Sequence, residues 1–518
     1  MKILKIIDPL VSRFPIGFYI LLGGGLALSQ PPVHAWFLPF LIFPYFWSRL
    51  DQVKDQRYKV FYAWAFGFGY ALGCLYWITF SLFVDIKSFF WLIPFTVFGL
   101  PAFLGIFPGM ALAFTSWAAR HPVSRPFIAA ASWSVMEWFQ GHIFTGFPWN
   151  LLGYTWASMP AIQLCAIFGI YGLSFLTVLC AHLLQMKRTW ANSASFVALG
   201  VVFTLSYLYE KSLPPLTHTP HKIRIVQPNI PQSLKWDPDL HFHHLQTLLY
   251  LTQKPRDQGT RPPIILWPES ATAYFLEHHH IIRAEIAKAL PKDGFLITGG
   301  VRAKINPKTH DIVKVWNSLL VLSSEGHLVY KYDKMHLAPF GEYIPFRTYL
   351  PHWIQKLTPG DLDYTPGTNR IVHSNPQSPP FLPLICYEAI FPDELTYLSS
   401  KIPPEWIAVI TNDGWFGASS AAYQHLVISR TRCIEQGLPM VRAAYTGISA
   451  VISAYGEVMA HIPLKTRGVL DTYIPEPRGH PTLFHQHGHR IYGCILFLCL
   501  AIGLILEVSQ RALRKTLP

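Results

Sequence analysis

Three residues in the second half of the chain are of types that could carry out nucleophilic chemistry together. Cys386 closes the apolar run Phe381-Leu382-Pro383-Leu384-Ile385 and is followed at once by Tyr387-Glu388. A thiol at the mouth of a short buried strand, where the chain turns away, is held rigidly from below and open above, which is how a nucleophile is mounted. Cysteine is also a small core hydrophobe, so position alone does not separate catalysis from packing. Glu269 follows Leu266-Trp267-Pro268 and precedes Ser270; a carboxylate at a strand end serves as a base, or else as a turn former or helix cap. Lys334 lies in Lys331-Tyr332-Asp333-Lys334-Met335-His336-Leu337, which leads into Pro339-Phe340-Gly341-Glu342-Tyr343. Buried, its ammonium could hold an oxyanion. Exposed, it is an ordinary loop charge. Asn412-Asp413-Gly414-Trp415-Phe416-Gly417 reads by itself as a turn with an aromatic plug.

The elements that must position these residues are short β-rich runs alternating with helical stretches. Strands are expected at 223–230, 263–267, 295–301, 315–322, 380–385 and 406–411, and a strand pair at 441–453 and 457–462. Helices are expected at 239–252, 280–290 and 423–435. Strands alternating with helices, with hairpins among them, indicate an α/β sandwich. Residues 356–370, with Pro359-Gly360 and Pro366-Gly367, lack periodicity and read as a long loop of the kind that forms lids or binding loops.

The first part of the chain is different. Of the 518 residues, 51% are hydrophobic and only 14% charged, well below the charged share of soluble proteins, so the composition points to a membrane protein. Apolar stretches at 16–29, 36–47, 60–82, 90–118, 127–139, 162–184 and 196–209, with one more at 491–508, read as seven spans and a final eighth. Lys2, Lys5 and Arg13 precede the first, and Arg49, Lys54, Arg57 and Lys59 separate the second and third. Arg120 and Arg125 follow the fourth, Lys187 and Arg188 the sixth, and Arg511, Arg514 and Lys515 the last. The alternate loops carry only Lys87. By the positive-inside rule both termini are cytoplasmic and the segment between the seventh and eighth spans lies outside, in the periplasm of a Gram-negative cell. The expected organisation is a membrane domain at 1–216, a catalytic domain at 217–480, and a final helix and tail at 481–518.

The same clustering accounts for the net charge of +13, because the basic residues form no stripe of the kind that binds nucleic acid. The seven cysteines show no C-x-x-C or His-paired spacing, which argues against zinc and a disulfide scaffold.

Glu, Lys and Cys in this order, at these strand ends, resemble the nitrilase (carbon–nitrogen hydrolase) superfamily over 223–475. With seven spans before that domain and one after, the chain is similar to the apolipoprotein N-acyltransferase family. The motifs that carry this are Gly146-Phe147-Pro148-Trp149, Gln227-Pro228-Asn229, Lys235-Trp236, Trp267-Pro268-Glu269, Tyr332-Asp333-Lys334, Pro339-Phe340-Gly341-Glu342, Cys386-Tyr387-Glu388 and Asn412-Asp413-Gly414-Trp415-Phe416-Gly417. Ser270, Gly414 and the His-rich 484–490 are departures, none at a catalytic position. The resemblance implies an α-β-β-α sandwich beside a polytopic helical membrane domain, with Glu269 as base, Lys334 as oxyanion holder and Cys386 as nucleophile. It implies support from Glu342, Tyr387 and Glu388, and substrate contacts from Trp236, Trp415, Trp149 and Asn229. The acyl donor would be a phospholipid, typically phosphatidylethanolamine, and the acceptor the α-amino group of the diacylglyceryl-cysteine of an apolipoprotein. No metal or organic cofactor is required. Two other readings remain at this stage: a membrane-tethered amidase acting on a small amide with the same triad, and a transporter with a structural external domain. A transporter would be marked by mid-span charges or repeated broken spans. Glu137 is the clearest mid-span charge, and the chain shows no internal repeat.

Overall fold

The computed structural model describes residues 13–184, 189–255, 261–351, 353–395 and 402–516. The chain forms two compact units, one comprising Met1–Thr79, Phe90–Pro214 and Thr482–Pro518, the other Phe80–Phe89 and Pro215–Pro481.

The first unit is helical. Every apolar stretch expected to span is helix, including Leu38–Leu50, Arg125–His142 and Thr189–Ser212. Among the described residues, four helical stretches are long and apolar enough to cross a membrane: Gln56–Leu92, Phe95–Ala118, Pro160–Leu183 and Arg490–Leu513. Pro15–Ala27 is apolar but has only 13 residues, short of the roughly 20 that cover a hydrocarbon core. Lys2, Lys5, Lys187 and Arg188, used in the charge argument, lie outside the described residues. The Glu137 Oε1 accepts from Trp133 Nε1 at 2.9 Å and from the Leu152 N–H at 2.7 Å. Its role is local, fixing the loop that follows its own helix.

The second unit is a sandwich of two six-stranded sheets. In the first sheet, β1 (His218–Gln227), β2 (Ile264–Leu266) and β3 (Phe295–Ile305) run parallel, and β4 (Ile312–Ser323) and β5 (Leu328–Asp333) continue as antiparallel hairpins. The second sheet contains β6 (His373–Asn375), β7 (Ser378–Ile385), β8 (Trp406–Thr411), β9 (Met440–Ala444), β10 (Ser449–Ile452) and β11 (Val458–Ile462) in reverse order. The last strand, β12 (Gly468–Pro475), returns to pair with β1. The parallel neighbours need crossovers, and the helices supply them: α1 (His241–Gln253) between β1 and β2, α2 (His280–Ala289) between β2 and β3, and α3 (Ser420–Gln436) between β8 and β9.

Alternation along the strands sends one set of side chains inward and the other outward. Ile225, Leu266, Ile297 and Val321 meet Phe381, Ile385, Trp406, Ile410 and Val441 between the sheets. On the outer faces, Leu245, Leu248 and Ile286 cover Ile265, Leu296 and Leu320, while Cys433 covers Leu382, Leu384, Ile407 and Val409. The four layers are helix, sheet, sheet and helix, as expected.

Two details differ from the sequence reading. The stretch 441–453 is two strands, β9 and β10, separated by a turn at 445–448 whose Tyr445 N–H donates to the carbonyl of Thr411 at the end of β8, at 3.0 Å. Gly447 packs so closely on Asp413 that a Cβ there would lie 2.3 Å from its carboxylate. The 356–370 loop is aperiodic, as expected, yet stitched down. The Tyr364 N–H donates to the Glu342 carbonyl at 2.9 Å and the Gly367 N–H to the Lys334 carbonyl at 2.8 Å.

Candidate active site

Glu269, Lys334 and Cys386 each leave the carboxyl end of a strand on the two facing sheets. Glu269 stands just after β2, in a turn laced to β3 by Gly299 N–H to Pro268 carbonyl (3.1 Å) and Ala271 N–H to Gly299 carbonyl (3.0 Å). Only glycine allows this approach, since a Cβ at 299 would sit 2.4 Å from the Ser270 nitrogen. Lys334 directly follows β5, and its N–H donates to the Asn317 carbonyl at 2.8 Å. Cys386 directly follows β7 at φ 51°, in the left-handed region that β-carbon-bearing residues rarely occupy. Such a conformation persists only where the surroundings hold it, and it turns the chain sharply away behind the thiol.

What holds it is Glu388. This buried carboxylate accepts from the Ile385 N–H (2.8 Å), the Met335 N–H (2.8 Å), the His336 N–H (3.3 Å) and the Tyr332 hydroxyl (2.5 Å), and it pairs with Arg370 at 3.0 Å. The nucleophile turn and the lysine loop therefore share one anchor.

The charges of the triad are close and dry. Lys334 Nζ lies 2.9 Å from Glu342 Oε2 and 3.5 Å from Glu269 Oε1. Asn317 donates from Nδ2 to both Glu269 Oε1 and Glu342 Oε1, each at 2.7 Å, so one amide sets the spacing of two carboxylates. The Ala338 N–H donates to Glu342 Oε2 at 2.7 Å. Burial opposes the charge on Lys334, but Glu342, Glu269 and Cys386 outweigh it and hold the ammonium well above the ordinary lysine range. Lys334 thus stays charged throughout any reaction here. Burial, followed by Glu269, pushes the Cys386 thiol up to about 12, against the opposing pull of Lys334 and a hydrogen bond with Thr411. The resting site therefore holds a thiol, and the proton must leave as the sulfur attacks.

The other expected residues fall into place unevenly. Tyr387 is buried, its ring edge-on to His336 and Phe391. Trp236 and Trp415 are partly exposed in the catalytic unit. Asn229 commits its amide to the Lys465 carbonyl at 2.7 Å and its N–H to the Tyr445 carbonyl at 3.0 Å, which makes it a loop clamp. Trp149 belongs to the helical unit, packed on Phe147 and Trp77. Sequence reasoning missed Asn317, although an amide in the interior of a strand, a depleted position, was the available signal. It also quoted Lys235 without assigning it, and had no signal for Arg370 or Tyr364. No group of three or more metal-binding side chains occurs among the described residues.

Residues 22–183 match the model of the apolipoprotein N-acyltransferase N-terminal domain, and residues 222–478 that of the carbon-nitrogen hydrolases. A protein of Rhodopseudomonas palustris named apolipoprotein N-acyltransferase is 37% identical over 94% of both chains. One of the same name from Bradyrhizobium diazoefficiens is 37% identical over 95% of this chain and 94% of its own. Among solved structures, an amidase from Nesterenkonia sp. aligns with 50% of this chain and 91% of its own at 17% identity, with a TM-score of 0.36, too low to carry an argument.

Proposed function

The chain belongs to the apolipoprotein N-acyltransferase family, and on that premise we propose how its own residues perform the transfer. The protein is a bacterial inner-membrane enzyme that passes a fatty acyl chain to the amino terminus of apolipoproteins by way of a thioester. Cys386 is the nucleophile, Glu269 the base and Lys334 the oxyanion holder. The observation that carries this assignment is the buried cluster in which Lys334 Nζ touches Glu342 (2.9 Å) and Glu269 (3.5 Å) beside a thiol raised by burial and then by Glu269.

In the first half-reaction Glu269 accepts the thiol proton as Cys386 sulfur attacks the ester carbonyl of a phospholipid, of which phosphatidylethanolamine is the proposed donor. The developing oxyanion is met by the Lys334 ammonium, which is already in place and so needs no reorganisation. Collapse breaks the ester C–O bond, Glu269 returns the proton to the leaving oxygen, and a lysophospholipid departs. In the second half-reaction the α-amino nitrogen of the diacylglyceryl-cysteine attacks the thioester, Glu269 takes the amine proton, and the C–S bond breaks to restore the thiol. A covalent intermediate of this kind gives ping-pong kinetics. Glu342, Tyr387 and Glu388 support the reacting groups, and Trp236 and Trp415 are assigned to substrate contact, whereas Asn229 is spent on clamping its loop.

The domain plan proposed from the charge pattern is a membrane domain at 1–216, a catalytic domain at 217–480 and a final helix and tail at 481–518, with eight spans, cytoplasmic termini and a periplasmic catalytic domain. A lipid donor and a lipid-anchored acceptor both explain why the catalytic chain carries apolar helices. The amidase reading is less supported, because relatives matching nearly the whole length carry the acyltransferase name.

The test is mass spectrometry of the intact, full-length protein in detergent after incubation with acyl-labelled phosphatidylethanolamine alone, then with an added diacylglyceryl lipopeptide. One acyl mass on the Cys386 peptide, lost to the lipopeptide in the second stage and absent from C386A, is expected. Release of free fatty acid to water with no acylated lipopeptide would overturn the transferase assignment.

A further inference from the structure

Next to the triad is a second buried lysine that the mechanism above does not use. Lys235 follows the short turn Gln232–Leu234, and its N–H donates to the Gln232 carbonyl at 3.3 Å. Gln232 in turn accepts from Asn412 Nδ2 at 2.8 Å, which ties this turn to the loop after β8. The backbone of Lys235 is also hydrogen-bonded by the His244 ring of α1. The side chain is 4% exposed and goes straight to the site. Its Nζ donates to the Glu269 carbonyl at 3.2 Å, with the Tyr445 ring centroid at 4.0 Å and the Trp236 centroid at 5.4 Å.

A buried lysine is costly unless its charge is used. Here one donor is bonded to a neutral carbonyl and the charge rests on an aromatic face, an arrangement that favours a cation. Among the described residues no carboxylate is in salt-bridge contact with it, in contrast to Lys334. The carbonyl it holds is that of the base itself, in a turn whose next residue, Ser270, sits at φ 45°.

We propose that Lys235 is a positioning residue of the acyl-transfer site: it fixes the peptide that carries Glu269 and adds, beside Lys334, a second positive charge to the field in which the oxyanion forms over Cys386. The proposal rests on the reading of Glu269, Lys334 and Cys386 as the reacting set. The two lysines then divide the work. Lys334, flanked by two carboxylates, is permanently charged. Lys235 is pushed down to about 8 by burial, although Glu269 and Cys386 pull it up, so it gives up its proton in the mildly alkaline range.

Of the groups that face Lys235, His244, Tyr445 and Cys386 are shifted away from that range. Burial lowers His244 on α1, and burial raises Tyr445, after β9, and Cys386, after β7, the thiol reaching about 12. Lys334 stays charged, Trp236 carries no ionisable group, and Glu269 is the carboxylate whose carbonyl Lys235 holds. The sign follows. Below pH 8 the ammonium is present and acyl-enzyme formation runs at full rate; above it the charge is lost and the rate falls.

The experiment is single-turnover acylation of full-length protein by labelled phosphatidylethanolamine, without acceptor, from pH 6 to 10. Wild type, K235R, K235M and C386A are compared, with melting in detergent as the folding check. In the wild type the rate falls with an apparent pKa of about 8. In K235R, whose guanidinium stays charged, that alkaline limb moves up or disappears. In K235M the rate at pH 7 drops about tenfold or more and the limb is gone. An alkaline limb unmoved in K235R, or a K235M rate equal to wild type at pH 7, overturns the proposal. If K235M does not fold, K235R decides alone. Acylation that persists in C386A instead removes the triad reading, so the two failures are distinguishable.

Discussion

The Glu388 carboxylate accepts the Met335 N–H at 2.8 Å, and with this one bond the turn behind Cys386 is joined to the residue that follows Lys334. Cys386 and Lys334, the proposed nucleophile and oxyanion holder, come from facing sheets, so their separation would otherwise depend on packing across the sandwich core. Glu388 also accepts from the Ile385 N–H at 2.8 Å and from Tyr332, so one buried side chain positions both partners. Rigid support of this kind keeps reacting groups in register.

Replacing Glu388 by Gln removes the charge that pairs with Arg370 at 3.0 Å. Breaking a buried pair by one partner costs about 3–5 kcal/mol. Glu388→Gln is therefore expected to melt earlier than wild type in detergent and to form acyl-enzyme slowly even when folded. Unchanged melting and labelling would show that Glu388 is dispensable.

Lys334→Arg keeps the charge but replaces a compact ammonium, set 2.9 Å from Glu342 and 3.5 Å from Glu269, with a broad planar fork. Acyl-enzyme formation should fall by roughly 10²- to 10³-fold, the range for loss of one oxyanion donor. Single-turnover labelling checks this, and a near-wild-type rate removes Lys334 from that role.

Asn317 donates to Glu269 and Glu342 from the same nitrogen. Asn317→Asp puts a third carboxylate against those two and should be more damaging to acylation than Asn317→Ala, which only removes the bridge. The order of the two rates is the measurement; equal rates would mean the amide does not organise the carboxylates.

Asp413 is bonded to His425 Nδ1 (2.8 Å) and Arg442 Nη2 (2.7 Å). Burial raises its pKa, but Arg442 and His425 more than offset this and hold it well below the usual aspartate value. A carboxylate depressed in the folded state contributes stability that is complete above its unfolded value and is lost as pH falls toward the folded one. Melting temperature should therefore drop in acid in the wild type. Asp413→Asn should be less stable at neutral pH and lose part of that acid dependence.

Cys433 is fully buried on the outer face of the second sheet, and burial pushes its thiol far up. Cys433→Ser should leave acylation intact, and a small alkylating reagent should modify Cys386 before Cys433. Faster modification at Cys433, read by peptide mass spectrometry, would contradict its assignment to packing.

The sequence by itself determined the class of the fold and pointed to the candidate reacting set. Alternating apolar positions and their helix-length interruptions are local properties of the chain, so β1 to β4, β7, β8 and the three crossover helices were legible. So was the position of Glu269 and Cys386 at strand ends, because strand ends are where apolar runs stop. Tertiary structure decided what local patterns cannot carry. The stretch 441–453 breaks in two because Tyr445 and Gly447 answer to Thr411 and Asp413, which stand before α3. The 356–370 loop is pinned because its N–H groups find the carbonyls of Lys334 and Glu342. Asn317 and Lys235 entered the site only when β4 and the turn after β1 were brought beside Glu269. Charge coupling decays over a few ångströms in space and takes no account of sequence separation, so a lysine 34 positions from its partner carbonyl becomes chemistry only once the chain has folded.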